Sequence, residues 1–197
     1  MSGSGKVEAT PDKAALELGV ETQAPSAKAA LAQNAERLRR VIEALRKAGV
    51  AKDDLQTSNV SLWPQRDSDG MAITGYTAQN TVSVELAVEK AGAAIDQAVG
   101  AGANVASGPS LSVGDRDSLY RDALAKAVDA ARAKANAIAD AAGLKVGRVT
   151  AVVEQSAEYE PSPMPYAAMA RDAVAETPVE PGKQTIEASV TVTFAPA

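Results

Sequence analysis

Histidine and cysteine are both missing from this sequence, and their absence removes whole classes of chemistry. Without histidine there is no imidazole to act as general base, as the middle member of a hydrolytic triad, or as the usual zinc or copper ligand. Without cysteine there is no disulfide framework, no thiolate nucleophile and no cysteine-held metal, a composition compatible with either redox compartment. Aromatic residues are only 3% of the chain, and alanine supplies much of the 46% hydrophobic fraction, so the core is built from small side chains. The net charge of -5 is spread along the chain with no basic stripe and no aromatics interleaved with arginines, which argues against nucleic acid as a partner. No run of about 18 apolar residues occurs and no charged-then-apolar leader precedes the first strand pattern, so no membrane insertion is expected.

What is present is strict alternation. From Ala72 to Val88, Tyr76, Ala78, Val82, Val84, Leu86 and Val88 fall on one face, and Thr77, Gln79, Thr81, Ser83 and Glu85 on the other. A strand sends successive side chains to opposite sides, so the pattern describes a sheet packed on one face, with the other wet or facing a partner. Such one-sided strands are typical of antiparallel sheets. Asn80 interrupts the apolar face; its amide needs hydrogen-bond partners if buried, at a cost of about 1 to 3 kcal/mol otherwise. A structural amide that pins strand register is favoured over a ligand contact.

Around this stretch the chain reads as strands interleaved with helices. Ala14, Leu16, Leu18 and Val20 alternate with Lys13, Glu17 and Glu21 in another one-sided strand. Ahead of it, Ser2 to Gly5 reads either as a linker or as the tail of a first strand shortened where a leader was removed. Ser26 is a suitable N-cap for a helix to about Ala48, with Ala27, Ala30, Leu31, Leu38, Val41, Ile42 and Leu45 on its apolar side and Gly49 as the stop. A weaker strand over LQTSNVSLWPQ is held to an edge by Pro64, and the link Arg66 to Gly70 makes a hairpin into the central stretch. A short helix at about 89–99 follows. The strand after it, about 104–113, contains Gly108 and Pro109 and is expected at a bulge or edge. Asp115 or Asp117 caps the longest helix, which runs to Ala142 before Gly143 and spans nearly 40 Å at about 1.5 Å per residue. Its large contacts are Leu119, Leu124, Val128 and Ile138, with alanines filling the rest. Two strands, 145–154 and 184–194, complete the pattern. The expected fold class is α+β: one mainly antiparallel sheet packed on one face by two long amphipathic helices and one short helix. We expect a single domain over 1–197, with a Pro-rich excursion at 156–183. That excursion carries Tyr159, Met164, Tyr166 and Met169, and loops so long are functional or disordered.

Several segments, taken in order, resemble the SIMPL-domain family, which includes the periplasmic immunogenic protein and oxidative-stress-defence proteins of bacteria. They are TPDKAALELGVET from Thr10, LRKAGV, DLQTSNVSLWPQ, ITGYTAQNTVSVEL, AGAN at 101–104, ALAKAVDAARAKANAIADAAGLKVGRV and TPVEPGKQTIEASVTVTF. Family members begin with an export signal and a complete first strand, and this chain starts at MSGSGKV. The resemblance implies a periplasmic or secreted α+β protein with self-association as a habit, and it brings no catalytic residues. Pro11, Asp12, Gly75, Tyr76, Asn80, Gly143 and Gly147 look structural by residue type.

No catalytic constellation is legible: there is no G-x-S-x-G turn and no S-x-x-K helix start to organise a nucleophile. Asp67 with Asp69, and Asp115 with Asp117, read as turns and caps ahead of calcium ligands. Met164 and Met169 read as loop anchors or an interface patch ahead of a copper(I) site. We therefore expect no cofactor, no metal and no enzyme. The reading is a non-enzymatic envelope protein, homo-oligomeric, scaffolding or stress-protective. The alternative is a binding module that closes the 156–183 loop over a small ligand or cation. Asn80, Tyr76, Gly75, Tyr159, Met164, Tyr166 and Met169 are the structural or interface candidates.

Overall fold

Alternating strands bury one face only when something covers it, and in the computed structural model, which describes residues 1–155 and 177–196, helices do so in two places. The strands are β1 (Ser2–Ala9), β2 (Lys13–Ala24), β3 (Leu55–Arg66), β4 (Ile73–Ala87), β5 (Val105–Ser112), β6 (Val146–Gln155) and β7 (Gln184–Pro196). The helices are α1 (Ala27–Lys47), α2 (Ala91–Gly100) and α3 (Arg116–Ala141). All strand pairs are antiparallel, so the α+β class and the hairpin from β3 to β4 are as expected. The strands do not form one layer, however. They divide into two sheets, ordered β1-β7-β6 and β3-β4-β2-β5, and the contacts gather into two compact units. Alternation fixes which face of a strand is apolar and says nothing of which strands share a ladder, so β4 and β7, each strictly alternating, could not be assigned to separate sheets from pattern alone.

The first unit takes its described residues from Met1–Pro11, Val113–Ala168 and Gly182–Ala197. Here α3 lies on β1 and β7. Ala123, Ala127, Ala131, Ala135 and Ala139, spaced four apart on one helix face, are its buried residues. They meet Ile186, Ala188, Val190 and Val192 of β7, also buried. On β1 the approach is closer still: a β-carbon at Gly3 would lie 2.0 Å from the Ala127 carbonyl oxygen, and one at Gly5 would lie 2.1 Å from that of Ala123. Ser2 to Gly5 is thus the first half of β1, which only glycine lets pass beneath the helix. Asp115 caps α3 by accepting from the Ser118 amide at 3.3 Å. Ile138, expected among the large contacts, is exposed instead, because the alanines take the whole buried stripe.

The second unit takes its described residues from Asp12–Ser112 and Met169–Pro181. Its core is aliphatic: Leu16, Leu18 and Val20 of β2 and Val82 and Val84 of β4 pack against Leu38, Val41 and Leu45 of α1 and Ala91, Ala94 and Ala98 of α2. Each fully buried leucine or valine stabilises the fold by about 1.5 to 3 kcal/mol relative to exposure. Ser26 caps α1 by accepting from the Ala29 amide, and Gly49, at φ +91°, ends the chain's run past it. Leu31 is exposed, and Asn34 takes the buried position expected for an apolar residue. Both outer strands carry blunting features: β3 has Pro64 and a register shift at Ser58, and β5 has Gly108-Pro109 and a shift opposite Ala15 to Glu17. Segment 177–181 is tied to α2, where the Thr177 amide and hydroxyl donate to the Asp96 carboxylate at 3.1 and 2.7 Å, and Val179 packs on the core.

Candidate functional site

Three of the residues singled out in the sequence lie on β4, and they do not form one site. Gly75 is buried on the face away from the helices, where a β-carbon would sit 3.1 Å from the Gln65 amide oxygen. Tyr76 is half-buried on the helix side with Ala24, Ala30 and Ala78. Asn80 shares that side, opposite Val20 of β2 and Val60 of β3, and its Oδ1 is buried with no partner among the described residues. Tyr159, Met164, Tyr166 and Met169, and with them the loop of the binding-module alternative, lie outside the described residues.

Sequence reasoning missed the amide that carries the helix-to-sheet junction. Asn34, on α1, donates from Nδ2 to the Val20 carbonyl at 2.7 Å and the Ala78 carbonyl at 2.9 Å, joining β2 and β4 beneath the helix. Thr22 adds a hydroxyl donated to the Ala30 carbonyl at 2.9 Å. The signal was available: a polar residue at helical spacing between Ala30 and Leu38.

The opposite face of this sheet is polar. The extra residue at Ser58 turns its hydroxyl onto that face, where it donates to Glu17 Oε2 at 2.5 Å and lies 3.0 Å from Thr81 Oγ1. Two cross-strand rungs follow along β2, β4 and β3, Glu21–Gln79–Ser61 and Gln23–Thr77–Trp63. Gln65 Nε2 donates to Thr77 Oγ1 at 2.9 Å. At the other end Lys13 is held by Glu85 at 2.6 Å, and that hydrogen bond, with the attraction of the carboxylate, raises the lysine pKa above its ordinary value. Asn104 clips β2 by accepting from the Glu21 amide and donating to its carbonyl.

Chemically this face presents hydroxyl, amide and carboxylate groups. A serine held by a carboxylate lacks the imidazole or amine that removes its proton. The acidic pairs are in structural use: Asp67 accepts from the Met71 and Ala72 amides in the β3–β4 turn, and Asp115 is the helix cap. Among the described residues no group of three or more acidic, histidine or cysteine side chains is placed to hold a metal.

The first unit offers apolar surface. A groove of about 460 Å³ lies between the end of α3 and β7, lined by Met1, Ile138, Leu144, Val146 and Phe194 with Lys145 beside them. Thr193 and Lys145 are the polar side chains of its lining. On β6, Val152 is 52% and Val153 59% exposed. Val152 stands opposite Val192 on the helix side and Val153 opposite Thr191 on the other, while the far edge of β6 has no neighbouring strand among the described residues. Tyr120 of α3 donates its hydroxyl to Glu154 at 2.5 Å, which pushes its pKa up.

By fold, the molecule is one of the α+β proteins built on antiparallel sheets. The chain belongs to the SIMPL family, described as protein of unknown function (DUF541), whose sequence pattern matches residues 1–194. It is similar to the 26 kDa periplasmic immunogenic protein of Brucella melitensis, with 32% identity over 98% of this chain and 82% of that protein. It is also similar to the uncharacterized protein YggE of Escherichia coli K12, at 35% over 83% of this chain and 68% of that one. A third relative is YggE of Edwardsiella ictaluri, at 29% over 82% and 70%. The expected periplasmic location is the one in the Brucella relative's name, and this chain is an exported protein of that kind. No helix among the described residues is long and apolar enough to cross a membrane.

Proposed function

We propose that this chain is a non-enzymatic protein of the bacterial envelope that works by associating with copies of itself, in a scaffolding or stress-protective role. One observation carries the reading: Ala151, Val152 and Val153 are three consecutive exposed apolar residues on a strand whose outer edge has no neighbouring strand among the described residues. Exposed apolar runs of this kind are unfavourable in a monomer unless they serve an interface, and an open edge offers backbone donors and acceptors to another strand. Antiparallel pairing of β6 with β6 of a second copy is self-complementary, since the same valines meet across a two-fold axis.

Light scattering of the purified chain tests this. The expected mass is a multiple of 20.1 kDa, falling to the monomer when Val152 and Val153 are both changed to Lys. A wild-type chain that stays at monomer mass across the accessible concentration range overturns the reading.

A further inference from the structure

We propose that the open face of the four-stranded sheet binds a neutral glycan strand, with Trp63 as its stacking platform. Trp63 is the chain's one tryptophan, yet it belongs to none of the four hydrophobic clusters and stays 39% exposed. An indole left at the surface gives up a large burial energy, and indoles are kept there where one face meets a partner. Its surroundings specify the partner's chemistry. Trp63 shares a rung with Thr77 and Gln23, and the next rung holds Ser61 and Gln79. The Gln23 and Gln79 amides make no side-chain hydrogen bond among the described residues, and each can donate and accept at once, as adjacent sugar hydroxyls require. Gln65 is bonded to Thr77, so the floor between the free amides is already fixed and needs little ordering on binding.

The only charge in these two rungs is Glu21, which disfavours phosphate or acidic peptide, and an apolar helix laid here would bury the amides unpaired. A pyranose strand satisfies both demands, with its C–H face on the indole and its hydroxyls on the amides. Rows at about 4.8 Å across the strands and about 7 Å along them suit an extended chain of such rings.

With a single tryptophan, emission reports this face alone. The full chain is titrated with a tetramer of N-acetylglucosamine and, separately, with cellotetraose; the two arms distinguish N-acetylated from plain glucan chemistry. The expected result is a saturable blue shift in at least one arm. By calorimetry, Trp63→Ala weakens binding by about tenfold or more and Gln79→Ala by a few-fold. Both variants keep the wild-type far-UV dichroism, since neither side chain belongs to the core. Emission unmoved by either sugar at millimolar concentration overturns the proposal, as does a Trp63→Ala chain that binds unweakened. A shift that follows protein concentration and ignores sugar overturns it too, because a second copy then covers the indole.

Discussion

The two sheets are covered by helices in opposite ways. Over β2 and β4, leucines and valines from both layers fill the space, and the helix stands off by the length of those side chains. Over β1 and β7 the helix presents alanine after alanine, and two glycines let its backbone rest on the strand. The first arrangement gains its stability from buried area. The second depends on proximity and has no room to spare. A side chain can thus be lost from one unit for about the cost of adding a single carbon to the other.

The largest effect is expected from the aliphatic unit. Leu18 is fully buried, and Leu18→Ala should cost about 3 kcal/mol in urea unfolding, through lost transfer energy and the cavity left behind. Faster amide exchange should be confined to β2, β4 and α1. Gly5→Ala should cost about 2 kcal/mol, because its new carbon meets backbone that cannot swing aside. Its exchange signature should fall in β1, β7 and α3. A Gly5→Ala chain as stable as wild type would show that α3 rides higher than described here, and the contrast would fail.

The contrast is sharpened within the aliphatic unit, where Asn34 of α1 and Asn80 of β4 face the helix–sheet boundary from opposite sides. Asn34→Ala strips the donors from two buried carbonyls and should cost about 2 kcal/mol. Asn80→Val removes an oxygen that has no partner and should be neutral or stabilising by the same measurement. Equal losses for the two would sink the assignment of Asn34 as the junction.

The smallest effect is electrostatic. Tyr120 is held neutral by its bond to Glu154, so its folded pKa lies above the ordinary value of about 10. The stability this adds is complete below the unfolded pKa and is lost as pH rises through the folded one. Ultraviolet titration of Glu154→Gln, with Tyr120→Phe to identify the signal, should bring that phenol back toward its ordinary value.

Much of this was legible before any coordinates. Ser26 and Asp115 announced their helices, and Gly49 and Gly143 closed them, because caps and stops are local chemistry. Alternation located β2, β4 and β7 within a residue or two. What escaped was relational. Gly3 and Gly5 read equally as a linker or as the tail of a strand, because their reason for being small is the backbone of α3, over a hundred residues away. Ser58 gave no sign of its bulge, since a bulge belongs to a pair of strands. Ile138 and Leu31 were assigned inward by helical period, which sees the stripe but not its width. Of the candidate residues, Asn80 was placed correctly on the packed face, and its missing partner could not have been seen from sequence.

Because the chain has no cysteine, a single introduced thiol reports contact between copies without background. Val153→Cys, oxidised at micromolar concentration, tests the β6 edge most directly. Disulfide-linked dimer should form far faster than from Ala133→Cys, an exposed control on α3. If the two variants cross-link at the same slow rate, β6 does not pair between copies and the proposed mode of action is wrong.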